Sequence, residues 1–292
     1  MSFSSEKLDT SFRACRAITR HHAKSFYLAS HALPRGKRLA AYAIYAFCRH
    51  IDDEIDHAPN PAAVTAALHR QRTLLHTLEK GQAQNLPWAP AFLVTCRWAN
   101  IPRTHLEDLL IGMTLDQGPV RLADWPALDR YCHHVAGVVG HIMTHLFVHN
   151  PDQELLTHAH HLGTAMQLTN ILRDIGEDLG RNRIYLPASE LAEHRVTEND
   201  LRAKHLTENF RNLMRFQIAR ARDFYLRAEP GIARLPNDGT QHTVRTMSKT
   251  YAAILDQIEK NNYDIFTQRA RVSLPRKIIL AYRAWIQSRA QP

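Results

Sequence analysis

The segment FCRHIDDEID, Phe47 to Asp56, places Asp52, Asp53, Glu54 and Asp56 within five positions, directly after an apolar run from Ala40 to Phe47. On an α-helix at about 100° per residue, Tyr45, Arg49, Asp52 and Asp56 fall within an arc of roughly 60°, with Asp53 at its edge and Glu54 turned away. One stripe of a largely buried helix therefore carries a phenol, a guanidinium and two carboxylates. Buried like charges repel and are costly without compensation, and a divalent cation is the simplest compensation.

The segment QLTNILRDIGEDLGRNRIYLP, Gln167 to Pro187, repeats the pattern. Gln167, Asn170, Asp174 and Asp178 span roughly 80° of a helix, flanked by Arg173 and Glu177. A single acidic pair one turn apart is ordinarily a solvated helix face. Two such pairs, each with Arg nearby and with amides or a phenol on the same stripe, point to a shared metal site. No EF-hand loop spacing is present, which disfavours calcium, and His and Cys are missing at ligand spacing, which disfavours zinc there. Hard oxygen ligands on rigid helices suit Mg²⁺, with Mn²⁺ as an alternative, and Mg²⁺ typically bridges to phosphate. Two diphosphates carry roughly six negative charges and four Asp about four more, against about six positive charges from three Mg²⁺. The deficit calls for basic side chains. Arg49, Arg173, Arg181, Arg183 and Arg269 are the candidates, and helix geometry places only the first two.

Holding these stripes requires helices, and the chain supplies little else. Strand signals are few, and most segments show helical spacing of apolar residues. Pro34 opens a run that reaches about His57, and PNPAA (Pro59 to Ala63) ends it and starts the next. The pattern predicts helices over 62–80, stopped by Gly81, and over 91–100, 104–115, 125–148, 153–180, 208–235 and 240–262, with a helical tail from about Pro275. NLPWAP (Asn85 to Pro90) and RNRIYLPASEL read as loops. With no repeat, low-complexity tract or long linker, one all-α domain over residues 1–292 is the economical reading.

Composition agrees: 292 residues with 11 glycines, 45% hydrophobic and 22% charged, suit a helical globular protein with a sizeable core. Cys15, Cys48, Cys96 and Cys132 lie far apart without CxxC, which reads as reduced thiols in a cytosolic protein. The start, MSFSSEKLDTSFRACR, has no apolar signal core. The formal charge of +9 favours anionic partners. No nucleic-acid module is recognisable, so nucleic acid is not expected as a partner.

Other features have competing readings. The stretch from Tyr131 to Pro151 lacks Asp, Glu, Lys and Arg, yet its five histidines favour a buried core helix over a membrane span. His141, His145 and His149 follow i,i+4,i+8 spacing, but without a matching carboxylate or Cys they read as satisfied or surface imidazoles. Gly137 and Gly140 could let a substrate approach backbone carbonyls or let two helices pack closely. The tail RARVSLPRKIILAYRAWIQSR mixes basic and apolar groups, suited to docking on the domain or to peripheral contact with a membrane surface.

HHAKSFYLASHALP, YAIYAFCRHIDDEID, YCHHVAGVVG, AMQLTNILRDIGEDLGRNRIYLP and NNYDIFTQRARVSLPRK occur in the order seen in squalene and phytoene synthases, and the chain resembles that family from about Arg20 to Ile286. The resemblance implies an all-α isoprenoid synthase fold around a central apolar cavity. It also implies Mg²⁺-dependent head-to-head joining of two prenyl diphosphates, farnesyl or geranylgeranyl, through a cyclopropylcarbinyl diphosphate. By matching positions, Asp52, Asp56, Asp174 and Asp178 would bind metal and diphosphate, with Asn170 assisting. Arg49, Arg173 and Arg269 would neutralise phosphate. Ser25 and Phe26 would lie over one substrate, and Tyr45, Tyr131, Gln167, Tyr185 and Tyr251 would line the site. Val135, Val138, Val139, Ala165 and Leu168 could form its dry wall, with Gly140 beside them. Asn182 stands where many relatives carry Gly.

Three functions follow from the resemblance. One ends at phytoene or dehydrosqualene by proton loss, with no need for NADPH. Another makes presqualene diphosphate or squalene. A third, of another class, is a non-catalytic relative acting in protein assembly, which would be expected to lose acidic residues that this chain keeps. Substrate chain length and oligomeric state are left open.

Overall fold

The computed structural model describes residues 3–58, 60–80 and 86–289, with the side chains of residues 25, 56, 61, 79 and 289 outside the described set. Its helices are α1 (Ser5–His22), α2 (Lys24–Ala29), α3 (Arg35–Asp56), α4 (Pro61–Glu79), α5 (Ala89–Trp98), α6 (Arg103–Thr114), α7 (Trp125–Cys132), α8 (Val138–Phe147), α9 (Gln153–Gly180), α10 (Ala188–Glu193), α11 (Glu198–Arg202), α12 (Glu208–Ala233), α13 (Thr240–Lys260) and α14 (Leu274–Arg289). The fold is all-α, as the sequence predicts.

Local chemistry explains where the helices start. Asn60, Asp124, Asp152 and Thr207 stand at N-caps, and each side chain accepts a backbone N–H of the first turn of α4, α7, α9 and α12. The stops predicted at Pro59 and Gly81, and Asn85 in the predicted loop, lie outside the described residues. Two differences from the sequence reading are informative. The predicted helix over 125–148 is divided into α7 and α8 by a π-helical turn, His133–Gly137. One wide turn leaves hydrophobic periodicity almost unchanged, so no pattern announces it. The RNRIYLP loop contains β2 (Arg183–Ile184), paired in parallel with β1 (Val120–Arg121). The pair is joined by the Val120 N–H, which donates to the Asn182 carbonyl, and by Arg121, which donates to the same carbonyl and to Asn182 Oδ1, contacts between residues far apart in sequence. Asn182 has φ +58°, in the left-handed region where Gly and Asn are the favoured residues, so Asn fits the place of Gly.

Two apolar clusters form the core. One gathers α1, α3, α4, α5, α6 and α8 around Phe47, whose ring stacks on Phe92 with centroids 4.2 Å apart. The other gathers α7, α9, α12 and α13, with α9 lying along α12. The stretch after Tyr131 is core as predicted, with Val138, Ile142 and Leu146 buried, and no helix among the described residues is long and apolar enough to cross a membrane. Helix α14 is docked on its inner side: fully buried Arg245 of α13 donates to Ser288 at 2.9 Å, and Arg276 pairs with Asp256 at 2.7 Å.

Candidate active site

A cavity of about 380 Å³ lies between the two clusters. Helix α9 gives it one wall through a stripe at three- and four-residue spacing, from Leu155 through Ala159, Leu162 and Met166 to Asn170. Helix α3 gives the facing wall through Ala41, Ile44, Tyr45 and Cys48. Phe26, Val135, Val139, Gly140 and Gln167 also line it, as the sequence predicts. Val138, Ala165 and Leu168 do not, a correction to the predicted wall. They lie on the far faces of α8 and α9, buried in the core, because at 100° per residue they are turned away from the lining stripes.

Asp52 and Asp174 each stand one helical turn beyond a residue that lines this cavity. Asp52 follows the lining residue Cys48 by one turn of α3, and Asp174 follows Asn170 by one turn of α9. Burial, and then the Asp52 charge, push the Cys48 thiol up to about 12. Asp56 ends α3 one turn further on, and its side chain, like that of Ser25, lies outside the described residues. Glu54 turns away as predicted, accepting from Gln71 at 3.1 Å on α4.

Basic groups converge on the acids. Arg173 is held against Asp174, with Nε 2.9 Å from Oδ1. Arg269 reaches the same carboxylate at 2.9 Å and Glu177 at 3.3 Å, a contact across the fold that no helix spacing could place. Arg49 pairs with Asp53, and its Nε is buried with no hydrogen-bond partner, as is Nε of Arg183. Arg181 makes an exposed pair with the same Glu177, at 3.0 Å. Burial, and then the neighbouring Asp174 charge, push the Asp178 carboxyl up to about 6, against the opposing pull of Arg183 and Arg181. Carboxylate oxygens on two helices, with Asp174 and Asp178 one turn apart, are hard donors of the kind a divalent cation takes.

The aromatic residues divide into two groups. Phe26 and Tyr45 face the cavity with ring centroids 6.1 Å apart. Tyr131 and Tyr185 are buried together, 4.8 Å between centroids, outside the lining. Both phenols donate to one carboxylate oxygen of Asp116, at 2.9 and 2.7 Å, and Arg183 donates to its backbone carbonyl. Burial, reinforced by the Asp116 charge, drives both phenols far above the usual tyrosine range. Sequence reasoning missed Asp116: a lone acid in a turn has no spacing signal, and its partners lie 15 and 69 positions away. Tyr251 of α13 is also off the lining, near enough to Arg173 to interact electrostatically. Gly140 lines the cavity, but a Cβ there would lie 2.6 Å from the Ala159 carbonyl oxygen, and one at Gly137 would lie 2.5 Å from His160 Nδ1. Close packing against α9 therefore requires both glycines.

A family model described as squalene/phytoene synthase matches residues 19–277. The chain is 37% identical to a phytoene synthase of Arthrospira platensis over 96% of its own length and 94% of that protein. It is 33% identical to a 15-cis-phytoene synthase of Synechocystis over 96% and 86%. Among solved structures, a dehydrosqualene synthase bound to a ligand superposes with a TM-score of 0.88 at 29% identity, covering 98% of this chain and 99% of that one. A squalene synthase of Alicyclobacillus acidocaldarius superposes with a TM-score of 0.83 at 28% identity, covering 89% and 97%.

Proposed function

Because the chain belongs to the squalene/phytoene synthase family of prenyltransferases, we propose that it joins two prenyl diphosphates head to head through a cyclopropylcarbinyl diphosphate and ends at a phytoene-type polyene by proton loss. The whole chain acts as one catalytic domain in this reading, without NADPH. What supports it is an apolar cavity lined by α3 and α9, each of which carries an acidic stripe beginning one turn beyond its last lining residue.

Asp52 and Asp56 on α3 and Asp174 and Asp178 on α9 would hold Mg²⁺ or Mn²⁺, with Asn170 beside them. The bound ion supplies charge neutralisation of the departing diphosphate. Arg49, Arg173 and Arg269 add fixed positive charge, and the pairs that Arg173 and Arg269 make with Asp174 keep both guanidinia at the mouth until a phosphate replaces the carboxylate. The allylic cation is faced by the rings of Phe26 and Tyr45. Val135, Val139 and Gly140 exclude nucleophilic water, and Gln167 marks the polar boundary. Ser25, at the start of α2 next to Phe26, is assigned to the same substrate. Burial keeps Tyr131 and Tyr185 protonated and donating to Asp116, so they position the mouth together with Tyr251. The released diphosphate is then the proton acceptor.

Cavity depth admits the longer substrate. Leu155 and Asn170 are separated by fifteen positions of α9, or about 22 Å along its axis. An extended chain spans about 3.5 Å per three main-chain bonds, so a prenyl unit of four such bonds spans about 4.7 Å; three units reach about 14 Å and four about 19 Å. Geranylgeranyl diphosphate therefore fits. Helix α14 extends the reading to peripheral membrane contact. Leu274, Ile278, Tyr282, Trp285 and Ile286 form an exposed apolar stripe, with Lys277 and Arg283 exposed alongside to meet anionic lipid, where a greasy product would be delivered.

The test is turnover of geranylgeranyl or farnesyl diphosphate with Mg²⁺, with and without NADPH, followed by identification of the lipid. A conjugated triene formed without NADPH is expected. Accumulation of the cyclopropyl diphosphate would assign the chain to the squalene route, and absence of diphosphate release would leave a non-catalytic role.

A further inference from the structure

A second group of chemistry-bearing side chains lies behind the cavity wall. Asp108 projects from α6, and His133 and His134 open the π-helical turn between α7 and α8. One donor atom from each of the three lies within 4.8 Å of the other two. Asp108 presents its two oxygens to two different rings: Oδ2 is 3.8 Å from His133 Nε2, and Oδ1 is 3.9 Å from His134 Nδ1. Both distances are too long for hydrogen bonds. His134 Nδ1 is shielded from solvent and has no hydrogen-bond partner, an arrangement that costs free energy unless something else satisfies the nitrogen.

We infer that Asp108, His133 and His134 form a site for a divalent transition-metal ion of the zinc class, distinct from the acidic mouth. Two imidazoles and one carboxylate match the donor set of such ions, and imidazole selects against Mg²⁺. Donor atoms around a tetrahedral ion with bonds of 2.0–2.1 Å lie about 3.3 Å apart, so the three donors, all within 4.8 Å of one another, reach that spacing by small side-chain adjustments, with solvent completing the coordination.

The surroundings support it. His133 offers Nε2 to the site while its Nδ1 is 3.4 Å from His160 Nδ1, and His160 Nε2 is 4.0 Å from Asp129. A ligating histidine typically has its other nitrogen engaged in this way, which fixes the ring. Gly137 leaves the space that the His160 ring occupies. The spaced trio His141, His145 and His149 does not converge: His141 and His145 pack at a tilt against His105 with ring nitrogens buried and unpartnered, unlike the satisfied imidazoles expected, and His149 is exposed.

The position gives the site a purpose. Val135 and Ala136, the next two residues of the same turn, line the cavity. An ion bound at its first two residues braces the turn that forms this wall. The role is structural support, since the cluster lies outside the cavity lining.

The experiment uses the untagged full-length protein with excess Mg²⁺ present to occupy the acidic mouth. Co²⁺ is titrated while visible ligand-field bands are recorded, and Zn²⁺ is then used to displace it. One equivalent should bind with the intense bands of a four- or five-coordinate ion. Asp108→Asn and His133→Gln should each weaken binding roughly 100-fold or more, while His149→Gln leaves it unchanged. Equimolar Zn²⁺ should raise the melting temperature of the native sequence and not of the two ligand variants. Circular dichroism and the metal-free melting temperature establish that the variants are folded. Absence of the bands in the native protein, survival of binding in both folded ligand variants, or its loss in Asp174→Asn instead, would overturn the assignment.

Discussion

Replacing Ala159 by phenylalanine should convert the protein from one that accepts geranylgeranyl diphosphate into one that accepts only the shorter farnesyl chain. Ala159 lines the cavity on α9, eleven positions before Asn170, and so lies about 17 Å down the helix axis from the acidic end. That depth falls between the reach of three prenyl units, about 14 Å, and of four, about 19 Å. A ring at this level takes the place of the last unit of the longer chain and leaves the shorter one undisturbed. The last unit has five carbons, each contributing about 0.8 kcal/mol on burial, or about 4 kcal/mol together. Lost in the transition state, this is roughly a 1,000-fold fall in kcat/KM. The assay is diphosphate release with each substrate, with the melting temperature as the check on folding. Farnesyl turnover should stay within about threefold of the native value, far inside the 1,000-fold effect on its competitor. Equal losses for both substrates in a folded variant would show that depth along α9 does not measure chain length.

Other outcomes follow from the same geometry. Asp178 titrates near 6 in the folded protein and near 4 in an unfolded chain, so the folded state binds its proton more tightly. This group therefore lowers stability progressively as pH rises from about 4 to 6, and the penalty persists above. Asp178→Asn should raise the melting temperature in EDTA at pH 7 and lose that advantage below about pH 4; an equal gain at both pH values would refute the burial argument. Mn²⁺ affinity, followed by electron paramagnetic resonance, should weaken as Asp178 protonates below about pH 6. Asp116→Ala leaves the phenols of Tyr131 and Tyr185 without their acceptor, at about 1–3 kcal/mol for each buried group, measured by urea denaturation. On α14, Ile278→Asp combined with Trp285→Ser should weaken sedimentation with anionic vesicles by tenfold or more, since each apolar side chain contributes about 1.5–3 kcal/mol when buried. Turnover of detergent-dispersed substrate should be unaffected.

Helical registers were legible because they are local. The turn angle of 100° places Tyr45, Arg49, Asp52 and Asp56 on one stripe of α3 whatever surrounds it. Asp152 caps α9 within its own first turn, so the 153–180 helix could be read directly from the sequence. The same arithmetic put Gln167, Asn170 and Asp174 in line, and the structure makes the first two the polar end of the cavity. Arg269 was marked by its family position, yet only the folded chain brings it to Asp174.

Residues that act by meeting distant partners left no such trace. Asp116 gains its role from two tyrosines on separate elements, and Asp108 from a wide turn that periodicity does not reveal. Cavity depth likewise depends on how far α3 and α9 stay apart along their lengths, which the packing of two apolar clusters decides. Sequence by itself determined which face of each helix carries charge, since helix geometry repeats every few residues. The tertiary structure alone decided which faces oppose one another, because contacts between remote segments are selected by packing of the whole chain and not by neighbours along it.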